Sequence, residues 1–275
     1  MSGLLLFALA AAAACAAGPG DAAAANAASL ESLAFAPFRR PETGWAVYAP
    51  RVAAEIGSAC PADSPGFASA LAGWQASHKL PATGIMDIES FAAMNGKWTL
   101  ARPWVQATRH GGCPEPPAAE TLATADPAES YGAKTIQLTP ATLGQWRALT
   151  AAAKADLPEL AADPRWLTVF SGFRAPDDDA ARCLAENNCD GTVRAVCSAH
   201  RTGTAIDAYV GEAPGMRPDS SDDANRRAMT QTAVYRWLVA NAARFGFVNY
   251  VFEPWHWEYA APLDSGDTVT HGAKP

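Results

Sequence analysis

The sequence predicts an α+β protein: a small, mainly antiparallel sheet flanked by helices, preceded by a small helical domain. Three observations carry that prediction. Short apolar and aromatic runs at Trp166 to Phe170, Thr204 to Val210, Tyr250 to Glu253 and Trp255 to Ala260 read as strands. Helical periodicity fills the stretches around them. The length of 275 residues fits two domains at about 150 residues each.

Taken in order, the elements begin with an apolar run from Leu4 to Ala17, too short to span a bilayer. It reads as a secretory signal over residues 1–17. Cys15, after Ala12-Ala13-Ala14, also resembles a lipobox, so lipid anchoring through Cys15 is the alternative to simple cleavage. Residues 18–39, rich in Ala, Gly and Pro, read as a tether. A helical domain is expected over residues 40–105. Phe67, Leu71 and Trp74 fall on one helical face, Ala82-Thr83-Gly84 makes a turn, and Asp87 caps a second helix bearing Phe91 and Met94. Residues 106–132, with Gly111-Gly112-Cys113-Pro114-Glu115-Pro116-Pro117, read as a linker. The second domain, 133–275, opens on Thr139-Pro140, an N-cap followed by proline at the first helical position. Leu143, Trp146 and Leu149 give that helix its apolar face. Asp177 opens a short helix, and a long helix runs from about Asp222 to Phe245, stopped by Gly246.

Composition excludes some functions. The net charge of −7 and the sequence pI of about 5.2 disfavour nucleic acid or anionic lipid as partners held by bulk charge. No transmembrane span is expected in the mature chain, which should be a monomer. Six cysteines contain no C-x-x-C pair, so a zinc ribbon is excluded and disulfides are expected in an oxidising compartment. With Cys15 removed or acylated, five remain. Cys183 with Cys189 is the first expected pair. Cys60 with Cys113 would brace the first domain and leave Cys197 unpaired; the rival joins Cys197 to the insertion or to the first domain.

Two of the five histidines sit in dense polar and aromatic contexts, Ser198-Ala199-His200-Arg201-Thr202-Gly203-Thr204-Ala205-Ile206-Asp207 and Glu253-Pro254-Trp255-His256-Trp257-Glu258-Tyr259. An extended chain from His200 to Asp207 spans roughly 23 Å, so both reach one metal only if the chain folds back, and Gly203 allows that bend. Asp207 lies on an apolar strand, where an unpaired carboxylate is costly and a cation relieves the cost. Pro254 keeps Glu253 out of helical geometry, which excludes the two-turn zincin helix. On a strand, His256 and Glu258 share a face, so Glu258 rivals Glu253 or orients a ligand histidine.

At these clusters the chain closely resembles the VanY-like D-alanyl-D-alanine carboxypeptidases, zinc peptidases of the bacterial cell wall. The family signatures S-x-H-x-x-G-x-A-x-D and E-x-W-H are filled by Ser198, His200, Gly203, Ala205, Asp207, Glu253, Trp255 and His256. A third element, S-G-[FY]-R, stands as Ser171-Gly172-Phe173-Arg174, and the resemblance covers about 135 to 262. It implies the zinc D,D-peptidase fold and one Zn²⁺ per chain, held by His200, Asp207 and His256. It also implies Glu253 as general base, favoured over Glu258, and Arg174 in contact with substrate. Ser198 and Trp255 are further candidates for substrate contact. Arg174 would hold either the oxyanion or the terminal carboxylate.

Two departures stand out. Asp179 occupies the place of a family Gln, and a cysteine-bearing insertion runs from Cys183 to Cys197. In the first domain, Leu71, Trp74-Gln75, Leu80, Thr83-Gly84 and Asp87 resemble the second half of a peptidoglycan-binding repeat. The expected protein is therefore an exported zinc carboxypeptidase, periplasmic or wall-associated. Its partners are peptidoglycan stem peptides, from which it trims terminal D-alanine, and wall polymer. L,D-carboxypeptidase, endopeptidase, Fe(II) oxygenase and non-catalytic wall binding are the alternatives. Because every zinc residue lies beyond the linker, residues 40–105 are expected to be dispensable for cleaving a short soluble peptide.

Overall fold

The computed structural model describes residues 14–185, 187, 189 and 197–260. Most of the signal segment, part of the insertion and His271 lie outside the described residues. The architecture is mixed helix and sheet, with helices dominating the N-terminal region, as the sequence predicts.

The N-terminal region is built from α1 (Gly20–Ser32), α2 (Ala49–Glu55), α3 (Pro65–Ser77), α4 (Ile88–Ala101) and α5 (Pro103–Thr108). A short hairpin joins the first two, β1 (Ala34–Phe35) with β2 (Glu42–Thr43). Ser64 accepts the Phe67 N–H at the start of α3, and Asp87 accepts the Ser90 N–H at 2.7 Å at the start of α4. Phe67, Leu71, Trp74, Phe91 and Met94 bury against Trp45, Tyr48 and Trp98. Between α3 and α4, Gln75 holds the turn, accepting the Gly84 N–H at 2.8 Å and donating to the Ile85 carbonyl at 2.9 Å.

The segment expected to be a tether is instead packed structure. Helix α1 buries Ala22, Ala23 and Asn26, and the Asn26 amide bonds the Gly84 carbonyl and the Met86 N–H, both at 2.8 Å. Alanine-rich composition resembles a spacer, yet alanine is also the best helix former. Inside the expected linker, β3 (Ala123–Thr124) pairs antiparallel with β4 (Gln137–Leu138).

The C-terminal region carries a four-stranded antiparallel sheet of β5 (Val169–Ser171), β6 (Ala205–Ala208), β7 (Phe247–Asn249) and β8 (His256–Tyr259), ordered β5-β6-β8-β7. Helix α6 (Pro140–Asp156), capped by Thr139 as expected, lays Leu143, Trp146 and Leu149 into the core beneath the sheet. Helix α7 (Pro176–Ala185) carries Asp177, Asp178 and Asp179 in its first turn.

Two expectations are corrected here. The long helix from Asp222 breaks into α8 (Asp223–Thr230) and α9 (Ala233–Asn241). Thr232 makes the break: its hydroxyl accepts the Tyr235 N–H at 3.1 Å, starting a new helix, and donates to the Val210 carbonyl at 3.0 Å. Tyr250 to Glu253 is a turn and not a strand, closed by the Glu253 N–H on the Tyr250 carbonyl at 2.8 Å. The pairing residues are the preceding Phe247–Asn249.

The cysteines pair as Cys15–Cys60, Cys113–Cys197 and Cys183–Cys189, and none of the six is free. The expected Cys60–Cys113 bridge and the unpaired Cys197 are thus both corrected. Cys15, set aside as removed or acylated, supplies the sixth thiol. Among the described residues, no helix is long and apolar enough to cross a membrane.

Candidate metal and peptidase site

Register alone places much of the site. In the antiparallel ladder Asp207 on β6 lies directly opposite His256 on β8, and Ser171 on β5 lies opposite Asp207. Cross-strand partners of this kind hold their side chains within contact. His200 arrives differently, from the 3₁₀ turn Ala199–Thr202, which Gly203 ends at φ +68°. The left-handed turn folds the chain back, as the Gly203 reading requires, and the Gly203 carbonyl is fixed by the Thr139 N–H at 2.9 Å. Gly172 has a different use: a Cβ there would stand 2.6 Å from the Gln137 carbonyl, so only glycine lets β4 approach.

The His200 Nε2 lies 3.1 Å from Asp207 Oδ2, and His256 Nδ1 lies 2.8 Å from Asp207 Oδ1. One ligand atom from each of the three falls within 4.8 Å of the others, and all three residues are buried. The remaining ring nitrogens are also occupied. The Gly172 carbonyl lies 2.8 Å from His200 Nδ1, and Glu258 Oε1 lies 3.3 Å from His256 Nε2. Imidazoles oriented by an outer carbonyl and an outer carboxylate, converging with one carboxylate, have the donor set that a zinc site uses. The residues fit the ion.

Charge is strongly coupled here. Burial opposes ionisation of Asp207, but His200 and His256 outweigh it and hold the carboxyl far below its usual range. Burial pushes His200 down. It acts the same way on His256, where Asp207 and Glu258 prevail and raise the pKa to about 9. Glu253 goes up, because burial penalises its charge more than His256 favours it. Its Oε2 lies 4.0 Å from His256 Nδ1. Glu258, though buried, is held down at about 2 by His256 and Arg102.

His200, Asp207, Glu253 and His256 line a cleft of about 810 Å³. Ser198, Arg174 and Trp255 line it as well. Arg174 donates to Asp179 Oδ1 at 2.8 Å and to Ser171 Oγ at 3.1 Å, while Ser198 donates to the other Asp179 oxygen. Asp179, which stands in place of the family Gln, therefore fixes the arginine. Trp255 is 4% exposed and packs mainly into the core of the sheet.

Sequence reasoning missed one wall. Phe38, Arg39, Arg40 and Pro41 from the β1–β2 connection, with Arg102 and Trp104 from the α4–α5 junction, line the same cleft. The only sequence signal was Arg102-Pro103, since a residue before proline is driven out of helical geometry. Arg102 is accordingly extended, at φ −70° and ψ 127°, where α4 ends.

The mixed helix and sheet fold thus brings three candidate metal ligands together in one cleft. Residues 135–262 match the family model of VanY, D-alanyl-D-alanine carboxypeptidase. No curated protein matches the chain.

Proposed function

We propose that the protein is an exported zinc peptidase that removes the terminal D-alanine from peptidoglycan stem peptides ending in D-Ala-D-Ala. One observation carries this reading: His200, Asp207 and His256 converge beside Glu253 and Arg174 in one cleft, inside the segment that matches the carboxypeptidase family.

His200 Nε2, Asp207 and His256 Nδ1 would hold the zinc. The ion supplies Lewis acidity toward a peptide carbonyl and lowers the pKa of water to roughly 7 in a well-tuned site. Glu253 is the proton carrier. It accepts a proton from the attacking water and delivers it to the leaving D-alanine nitrogen. Arg174, locked by Asp179 and Ser171, receives the terminal carboxylate of the peptide. Arg39, Arg40 and Arg174 give the cleft positive charge that complements an anionic peptide.

The test is mass spectrometry of pentapeptide, tetrapeptide and cross-linked dimer after incubation with the protein, together with metal analysis. Loss of one alanine from the pentapeptide alone, with stoichiometric zinc, is expected. Shortening of the tetrapeptide would assign an L,D-carboxypeptidase, cleavage of the dimer an endopeptidase, and bound iron would remove the reading. For the N-terminal region, whose α3–α4 hairpin carries the residues that resemble a wall-binding repeat, sedimentation of the full-length protein with insoluble peptidoglycan is the corresponding measurement.

A further inference from the structure

Glu258 presents a problem that its own half of the molecule does not solve. It is 1% exposed and faces His256 along β8. A buried carboxylate needs a partner to hold it in place. A neutral ligand histidine offers it a hydrogen bond but no charge. The cation comes from the other end of the chain. Arg102 donates from Nε to Glu258 Oε1 at 2.8 Å, and its Nη2 donates to the same oxygen. The Trp104 N–H donates to Oε2 at 2.8 Å. The guanidinium lies 3.9 Å from the Tyr250 ring centroid. Arg102 is itself only 12% exposed, so this is no solvent-screened surface pair.

We propose that Arg102 is a positioning residue of the active site, acting through Glu258 to fix the His256 ring for metal binding. The inference rests on the zinc-peptidase reading above and adds a residue from outside the segment that matches the family. Its consequence is that the N-terminal region completes the site, which reverses the expectation that residues 40–105 are dispensable for cleavage. With Arg102 in place, Oε1 is held stationary within reach of His256 Nε2, and Nδ1 is left aimed at Asp207. Without it, Glu258 keeps only the Trp104 N–H and His256 itself, and the outer support of the ligand histidine loosens.

The experiment uses the full-length protein and its Arg102→Met, Arg102→Lys, Glu258→Gln and Arg102→Met/Glu258→Gln variants. Zinc affinity is measured by competition with a chromophoric chelator, kcat and KM on a D-Ala-D-Ala-ended pentapeptide, and folding of the metal-free forms by near-UV circular dichroism. Losing an outer partner of a metal-bound histidine costs about 10- to 100-fold in metal affinity. Arg102→Met is expected to weaken zinc binding by that factor while KM stays within about threefold. Arg102→Lys should recover part of the affinity, because it restores the charge but not the fork. The double variant should bind zinc no more weakly than the worse single one, since both remove the same support. A purely structural role would lower thermal stability and leave the zinc affinity of folded protein unchanged. Zinc affinity within twofold of wild type in folded Arg102→Met overturns the proposal, as does full additivity in the double variant. If Arg102→Met does not fold, unchanged zinc affinity in both Arg102→Lys and Glu258→Gln overturns it instead. Wild-type protein that binds no zinc defeats the functional reading first, whereas a zinc-binding wild type with insensitive variants defeats only the role of Arg102.

Discussion

Glu253 and Glu258 lie five positions apart on the same stretch of chain, yet meet opposite surroundings. Glu258 is held ionised by Arg102 and His256, whereas burial biases Glu253 toward its protonated form. A proton carrier must change state during the reaction, which on the proposed function assigns that role to Glu253. Glu253→Gln should therefore retain near-stoichiometric zinc while kcat falls by about 10²- to 10⁴-fold. Asp207→Ala and His256→Ala should lose the metal, and some stability with it. Retained turnover in Glu253→Gln, measured beside zinc content, would move the base elsewhere. A second residue-scale expectation concerns Arg174. If it holds the terminal carboxylate, Arg174→Met should raise KM more than it lowers kcat, and Asp179→Asn, which loosens the arginine, should do the same more weakly. A change confined to kcat would assign Arg174 to the oxyanion. At this scale the sequence was informative wherever candidate ligands cluster locally: His200, Asp207 and His256, which the structure brings together, sit in two short motifs around Gly203 and Pro254. Arg102 was not legible, because its partner lies 156 residues away and no local pattern records which buried carboxylate an arginine will meet.

At the scale of elements, the turn that presents His200 depends on a backbone conformation that other residues avoid. Gly203 sits at φ +68°, with the Leu122 and Thr139 side chains 3.1 and 3.2 Å from where a Cβ would stand. Gly203→Ala should cost about 1–2 kcal/mol for the left-handed backbone alone, and the strained turn should also weaken zinc binding. A chemical denaturation midpoint equal to wild type would show that the turn relaxes freely. In the N-terminal helices, Glu55 joins α2 to α4 by accepting the Trp98 indole N–H at 3.0 Å and pairing with Lys97. Burial opposes its charge, but these donors prevail and lower its pKa. A depressed carboxyl stabilises the fold above its unfolded pKa of about 4.3 and loses that contribution as pH falls through the folded value. Glu55→Gln should thus be less stable than wild type by about 1–3 kcal/mol at pH 7, with the gap closing in acid. A gap independent of pH would mean that shape rather than charge joins the helices. The elements legible in the sequence were those with local signals, such as the caps Ser64, Asp87 and Thr139 and the stripe of Phe67, Leu71 and Trp74. The break at Thr232 was hidden because its bond goes to the Val210 carbonyl, 22 residues earlier in the segment that follows β6. Strand β7 was hidden because Tyr250 and Phe252 look like strand residues, whereas they face Phe38 across the cleft at 5.7 and 5.2 Å.

For the molecule as a whole, the sequence suggested two units joined by a linker, whereas the two cores meet through buried charge. Arg226 on α8 is fully buried and pairs with Glu42 on β2 at 3.3 Å and with Asp223 at 2.9 Å. It donates from Nε to the Phe252 carbonyl at 2.8 Å, and its guanidinium lies 4.2 Å from the Phe252 ring centroid. Tyr48, from the N-terminal core, donates to Glu42 Oε2 at 2.7 Å and accepts from Arg226. Glu42 has little margin, since its Oε1 is buried without a hydrogen-bond partner. Breaking a buried pair from one side leaves the other charge uncompensated, at a cost of about 3–5 kcal/mol. Arg226→Met should destabilise by that amount, and adding Glu42→Gln should recover part of it by removing the stranded carboxylate. Because this network and the Arg102–Glu258 pair both cross between the two halves, wild-type protein should melt in a single calorimetric transition. In Arg226→Met the transition should either move down intact or split into two, the C-terminal half then retaining the higher midpoint because its core is the larger. Two separate transitions already present in wild type, with Arg226→Met changing neither by more than about 0.5 kcal/mol, would show that the halves are independent.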